Sequence, residues 1–264
     1  MPDITGIKGE DIAYFMGQAG QFLDLNTLGA GDLKSQYLEW KWKQGSTTDG
    51  KLIGFPIDIG PTALFYREDI FKKAGLPSEV ADVTAATSTW DAFFEQGAAL
   101  KKALPGTFMV GEAAEVFDMA VGQTTKRYAD ADKKFIGDQE HIRNAWDLAT
   151  KAVALGISFK VASGGQDANA AWNQGTLPAK LGAAWVALDI KSAAEKTSGK
   201  WRVVPMPGGP ANQGGSFLAI PKSSGNPKKA FEIITWMLNA DNQARGYTDA
   251  ALFPPRRPRT SCPR

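Results

Sequence analysis

The chain has 264 residues, of which 43% are hydrophobic and 10% aromatic, with 30 basic against 28 acidic side chains, a formal net charge of +2 and one cysteine. That length allows one large or two modest domains with a real core, and the apolar fraction excludes wholesale disorder. No run approaches the roughly 18 unbroken apolar residues of a membrane span, one cysteine permits neither an internal disulfide nor a thiolate zinc cluster, and the balanced charge argues against a general nucleic-acid binder.

Ile12, Phe15, Met16, Ala19 and Phe22 follow helical spacing, and Leu33, Tyr37, Leu38 and Trp42 predict a second helix behind a cap at Asp32. Lys51–Ile57 and Thr62–Tyr66 read as strands around the turn-prone Asp58-Ile59-Gly60-Pro61. A short helix from Asp69 to Ala74 is stopped by Gly75. Ser88-Thr89-Trp90-Asp91 carries a capping signal that opens a helix running through Leu100. Thr107–Gly111 predicts a brief strand. Ile142, Ala145, Trp146, Ala149, Ala152 and Val153 then give the cleanest helical stripe, ended by Gly156. Strands follow near Ala179–Ala183, Trp201–Met206 and Phe217–Pro221. Asn226-Pro227 starts a helix bearing Phe231, Ile234, Met237 and Leu238, with proline where its missing N–H costs nothing. Strands alternating with helices predict an α/β protein with largely parallel sheets.

Charge and sulfur are unevenly spread. Arg256, Arg257, Arg259, Arg264 and Cys262 all fall in the last twelve residues, which hold no acid; the preceding 252 are cysteine-free with a net charge of −2. Such a body suits an exported protein, and 251–264 is expected to be a disordered or non-native tail. The opening Met1-Pro2-Asp3-Ile4 lacks the basic and apolar regions of a signal peptide.

Enzymatic motifs are sparse. His141, the only histidine, has no Gly-x-Ser-x-Gly elbow to serve. Asp130-Ala131-Asp132 starts like a calcium loop, but Phe135 and His141 replace the glycine and glutamate it requires. The Pro207–Ser216 stretch is glycine-rich without the lysine or spacing of a phosphate cradle, so it reads as a connecting loop able to bring backbone N–H groups close to a ligand. Glu112, Glu115 and Asp118 could supply the acids of a carbohydrate hydrolase. Trp90, Trp146, Trp201 and Trp236 sit where periodicity would bury them. Trp172 and Trp185 flank a strand-to-helix junction, where ligands bind in α/β folds, and a tryptophan there can offer its face to a sugar ring.

Asp49-Gly50-Lys51-Leu52-Ile53-Gly54-Phe55-Pro56-Ile57-Asp58, followed by Leu64-Phe65-Tyr66-Arg67-Glu68-Asp69-Ile70-Phe71-Lys72-Lys73-Ala74-Gly75-Leu76, resembles the most recognisable stretch of extracellular solute-binding proteins of family 1, the maltose-type and multiple-sugar-type receptors of bacterial ABC importers. Thr89-Trp90-Asp91-Ala92-Phe93, Asn173-Gln174-Gly175 with Gly182-Ala183-Ala184-Trp185, and Gly214–Pro221 resemble three more elements in the same order, although Pro178-Ala179-Lys180 departs from the usual Ala-Met.

The resemblance implies an α/β, two-lobed periplasmic-binding-protein-like fold of type II, with ligand in a cleft and closure about a hinge. It implies lobe 1 at 1–59 and 202–250, lobe 2 at 60–201, and crossings near Asp58-Ile59-Gly60 and Trp201-Arg202. Asp58, Gly60, Thr62, Phe117, Trp185, Gly215 and Ser216 would contact ligand, with Trp185 stacking on sugar. It further implies a monomer without cofactor, metal or catalysis that passes a sugar or oligosaccharide to transmembrane permease subunits from the periplasm or cell surface. A receptor of the same fold for polyamine or metal is the other binding alternative. Family members begin with a signal peptide and a first β-α-β unit and continue into a C-terminal helical segment, so this chain is expected to be an internal fragment whose first lobe is incomplete.

Overall fold

The computed structural model describes residues 2–129, 134–161 and 165–257. The calcium-like Asp130 and Asp132 and the end of the tail, with Cys262, lie outside them. In chain order the strands and α-helices are β1 (Thr5–Ile7), α1 (Ile12–Met16), α2 (Glu39–Gln44), β2 (Phe55–Pro56), β3 (Thr62–Arg67), α3 (Glu68–Lys73), α4 (Val80–Ala86), α5 (Trp90–Ala103), α6 (Ala113–Gly122), α7 (Glu140–Ala154), α8 (Gln166–Gln174), β4 (Ala179–Ala183), α9 (Val186–Ala193), β5 (Trp201–Pro205), β6 (Phe217–Ala219), α10 (Pro227–Met237) and α11 (Ala240–Ala250).

Contacts divide the chain into two compact units: residues up to Gly60 with those from Gly214 onward, and Pro61–Gln213. The return to the first unit falls at Gln213–Gly214 and not near Trp201-Arg202. The reason is that 201–205 is spent as β5, paired along its length with β3.

In the first unit β6 is the central strand between β1 and β2. Leu52, Phe55, Trp42 and Tyr37 pack with Phe231 and Ile234 of α10, so Phe231, Ile234 and Leu238 of the stripe read behind Asn226-Pro227 face the core while Met237 is exposed. The tail expected to be disordered docks here as far as Arg257. Phe253 pairs with Ile59, the Leu38 N–H donates to Pro255 O at 2.8 Å, and Arg256 stacks over the Tyr37 ring.

In the second unit β3 is central between β4 and β5. Its large core gathers Leu64 and Tyr66 of β3, Phe93 and Phe94 of α5, and Val116 and Met119 of α6. A smaller cluster joins Phe65, Trp172, Val186 and Ile190. The start of α5 is capped by Thr89, whose Oγ1 accepts from the Ala92 N–H at 3.1 Å.

Further expectations change. Every strand ladder among the described residues is antiparallel; the alternation of strands and helices along the chain does not correspond to crossover units here, since β3 meets β4 only after the excursion through α3 to α8. Thr107–Gly111 forms no strand; Val110 makes an isolated bridge to Ser158. Trp146 and Trp236 are 62% and 69% exposed, so the apolar stripes of α7 and α10 run wider than the faces they bury.

Candidate functional site

In the first unit the residues around Asp58 and the Gly214–Ser216 turn form one cluster. Asp58 is 6% exposed, and its Oδ1 accepts from the Ser216 N–H at 2.7 Å. Burial pushes its carboxyl above the ordinary range, while the Ser216 N–H and the Lys41 charge pull it back. The Ser216 carbonyl accepts from the Ile57 N–H at 3.0 Å, so both backbone groups of Ser216 are engaged. Gly215 has φ +83, and a Cβ there would lie 2.8 Å from both Asp58 O and Lys41 Nζ, so only glycine fits. Gly9 sits so close against the Gly214 and Gly215 carbonyls that it too can carry no side chain. Gly60 is buried where this unit ends.

Lys41 is the member of this cluster that the sequence reading missed. It is 0% exposed; its Nζ donates to Gly215 O at 2.8 Å and to Gln44 Oε1 at 3.0 Å, and lies 3.8 Å above the centre of the Phe217 ring. Burial brings its ammonium down to about 8, against the Asp58 and Glu10 charges that raise it. A signal was available: Leu38, Lys41, Trp42 and Gly45 share the i, i+3, i+4, i+7 spacing of one helix face, and Lys41, Trp42 and Gly45 are buried while Glu39, Trp40 and Lys43 are exposed.

In the second unit Thr62 opens β3 opposite Ala183, the last residue of β4. The Thr62 Oγ1 accepts from the Ala211 N–H at 3.1 Å, and Gln213 Oε1 accepts from the Ala183 N–H at 3.2 Å. Trp185 caps α9 two residues beyond, half-buried against the smaller cluster. Thr62, Gln213 and Trp185 are thus collected at one end of this sheet. Phe117 is on α6, packed against the large core, with its ring edge-on to Trp146 at 6.2 Å.

The acids weighed for hydrolysis differ in their settings. Glu115 is buried and committed, its Oε1 accepting from the Leu181 N–H at 2.6 Å and its Oε2 2.9 Å from Lys180 Nζ. Asp118 reaches solvent, and desolvation by its surroundings, then the Glu112 charge, holds its carboxyl above the ordinary range. His141 Nε2 is hydrogen-bonded to Arg127 O at 2.6 Å. The glycine-rich loop is braced by Gln123, whose Nε2 donates to Pro207 O and Gly209 O, each at 2.7 Å. A 370 Å³ cavity beside α9, lined by Ile190, Lys191, Glu195 and Trp201 among others, contains none of the expected site residues. Among the described residues no group of three His, Cys, Asp or Glu is placed to hold a metal ion, and no helix is long and apolar enough to cross a membrane.

Residues 2–259 match the model of the bacterial extracellular solute-binding protein family. The chain belongs to that family. It is 25% identical over 199 residues to a lactose-binding protein of Rhizobium radiobacter, covering 71% of this chain and 46% of that protein. It is 23% identical over 271 aligned residues to an arabinooligosaccharide-binding protein of Bacillus subtilis (strain 168), covering 97% of this chain and 60% of that one. Among solved structures, an extracellular solute-binding protein of family 1 superposes with TM-score 0.87 at 29% identity, covering 97% of this chain and 66% of its own. The ABC-transporter-associated binding protein of B. animalis subsp. lactis Bl-04, in complex with β-1,6-galactobiose, gives 0.80 at 24%, covering 97% and 63%. The chain therefore spans about half to two thirds of the length of these relatives, and its α/β fold is the type II periplasmic-binding-protein fold that such neighbours share.

Proposed function

We propose that this chain is the ligand-capturing part of a bacterial ABC importer's substrate-binding component, taking a sugar or oligosaccharide in the periplasm or at the cell surface and delivering it to transmembrane permease subunits. It acts as a monomer and catalyses nothing. The observation that carries the reading is the family match over 2–259, supported by two relatives named for binding lactose and arabinooligosaccharides.

Asp58, Gly60, Gly215 and Ser216 are the ligand contacts of the first unit, and Thr62, Phe117 and Trp185 those of the second. Since the backbone of Ser216 is engaged, its hydroxyl is the group it offers to a ligand. Trp185 stacks on a pyranose or furanose face, its outer half left available by a side chain that buries only part of itself. The committed position of Glu115 favours this reading over a hydrolase.

A thermal-shift screen with lactose, arabinotriose and β-1,6-galactobiose tests it. A true ligand at a hundredfold excess over its Kd adds about 2.7 kcal/mol of stability, and the sugar is recovered intact. No shift with any of the three contradicts the reading, and shortened product would move the assignment to a hydrolase using Glu112 or Asp118.

A further inference from the structure

One peptide group in the first unit is held by charge at both poles. The carbonyl of the Gly215–Ser216 peptide accepts from Lys41 Nζ at 2.8 Å, and its N–H donates to Asp58 Oδ1 at 2.7 Å. A cation thus sits at the negative end of the amide dipole and an anion at the positive end, and such charge-assisted bonds are about twice as strong as neutral ones. The anchors come from distant parts of the chain, 174 and 158 residues away in sequence, so the peptide is tied to α2 on one side and to the segment after β2 on the other. The left-handed Gly215 and the close approach of Gly9 leave the turn no room to adjust. Burying an ammonium that forms no ion pair among the described residues is expensive, and a methionine would fill the same volume over Phe217 without that cost.

We propose that Lys41 is the positioning residue of the ligand site in the first unit: it fixes the orientation of the Gly215–Ser216 peptide and so aims the Ser216 hydroxyl at the ligand. The ligand half of this inference rests on the sugar-binding reading; the clamp itself rests on geometry alone.

The clamp has a definite pH signature. Asp58 and Glu10 are the charged groups acting on Lys41, and Gln44 and the Gly215 carbonyl are its neutral partners. When the turn opens, the ammonium returns to water and to its ordinary 10.5; in the clamped turn it titrates at about 8. The clamped form therefore binds fewer protons between about 8 and 10.5 and gains on the opened form as pH rises through that window.

Hydrogen exchange measured residue by residue on the full chain at pH 7 and pH 9.5 tests this, with the Leu181 and Ala183 amides of the second unit as reference. After correction for intrinsic exchange, the protection of the Ser216 amide in the wild type rises at least tenfold with pH. In Lys41→Met it is lower at pH 7 and does not rise. Equal, pH-independent protection in both proteins overturns the clamp, and the wild-type pH series alone decides the matter if the variant does not fold. Calorimetry with lactose and β-1,6-galactobiose at pH 7 supplies the second arm: Lys41→Met weakens Kd at least fivefold and Lys41→Arg recovers part of it. Equal affinity in wild type and Lys41→Met overturns the positioning role and leaves the sugar reading standing. Ser216 exchange that responds as stated, with no sugar bound by any form, upholds the clamp and overturns the sugar reading.

Discussion

In the second unit Lys180 meets the Glu115 carboxylate directly at 2.9 Å, and Arg67 meets Asp69 through two parallel bonds of 2.7 and 2.8 Å. In the first unit Lys41 and Asp58 are both buried, yet a peptide stands between them as their common partner. Each direct pair fastens one element to the next: Glu115 joins α6 to β4, and Arg67, which also donates to Trp172 O at 2.9 Å, joins the end of β3 to α3 and α8. The separated pair fastens a turn that carries two expected ligand positions. Burial of charge is therefore scaffolding in one unit and aiming in the other, and the two uses respond differently to substitution.

The largest effect is expected at the direct pair. Glu115→Ala takes the carboxylate from beside the Lys180 ammonium and the acceptor from the Leu181 N–H, costing about 3–5 kcal/mol in denaturant unfolding. Glu115→Gln keeps an acceptor and costs less. A loss below 1 kcal/mol for the alanine variant would show that the pair is not a strut.

At the separated pair the signature is a slope. Because the folded-state value of Lys41 lies below the unfolded one, the wild type gains stability relative to Lys41→Met as pH rises from about 8 to 10.5, by roughly 2–3 kcal/mol in all. Tyr37, raised by burial, also titrates in the alkaline range but is common to both proteins and cancels in the difference. A flat difference profile would contradict the burial of a charged Lys41.

Gly215→Ala is next, forcing a side chain into the left-handed region and against Asp58 O and Lys41 Nζ, for about 2 kcal/mol. Its sugar affinity should fall further than this stability loss alone accounts for. The smallest change is Trp146→Ala. The side chain is 62% exposed and touches Phe117 only edge-on, so unfolding should move by no more than about 0.5 kcal/mol.

Much of this architecture could be read from the residues. The α7 stripe placed Ala145, Ala149 and Ala152 inside because helical spacing and small apolar side chains agree there. Thr89 capped α5 as its side-chain oxygen dictates, one residue later than the Ser88 signal suggested. Strand direction was not legible, since β3 finds β4 and β5 across more than a hundred residues and local pattern carries no register over that distance. Asp58 and the Gly214–Ser216 turn were visible as a turn-prone acid and a glycine run. Lys41 was not singled out because its partner lies 174 residues away and lysine is ordinarily a surface residue. Only its place on the Leu38-Trp42 face betrays it. Trp185 was legible as a junction residue, whereas Trp146 and Trp236 show that helical spacing alone does not decide which aromatic is covered.

Titration calorimetry of the wild type and Trp185→Ala with lactose, arabinotriose and β-1,6-galactobiose, each sugar recovered and chromatographed afterwards, tests the sugar-binding account most directly. The account predicts saturable one-to-one binding of at least one of them, an affinity about tenfold weaker in Trp185→Ala, in line with the roughly 0.5–1.5 kcal/mol an aromatic face contributes beyond area burial, and unaltered sugar at the end. Absence of binding to all three, equal affinity in both proteins, or cleaved sugar would contradict it.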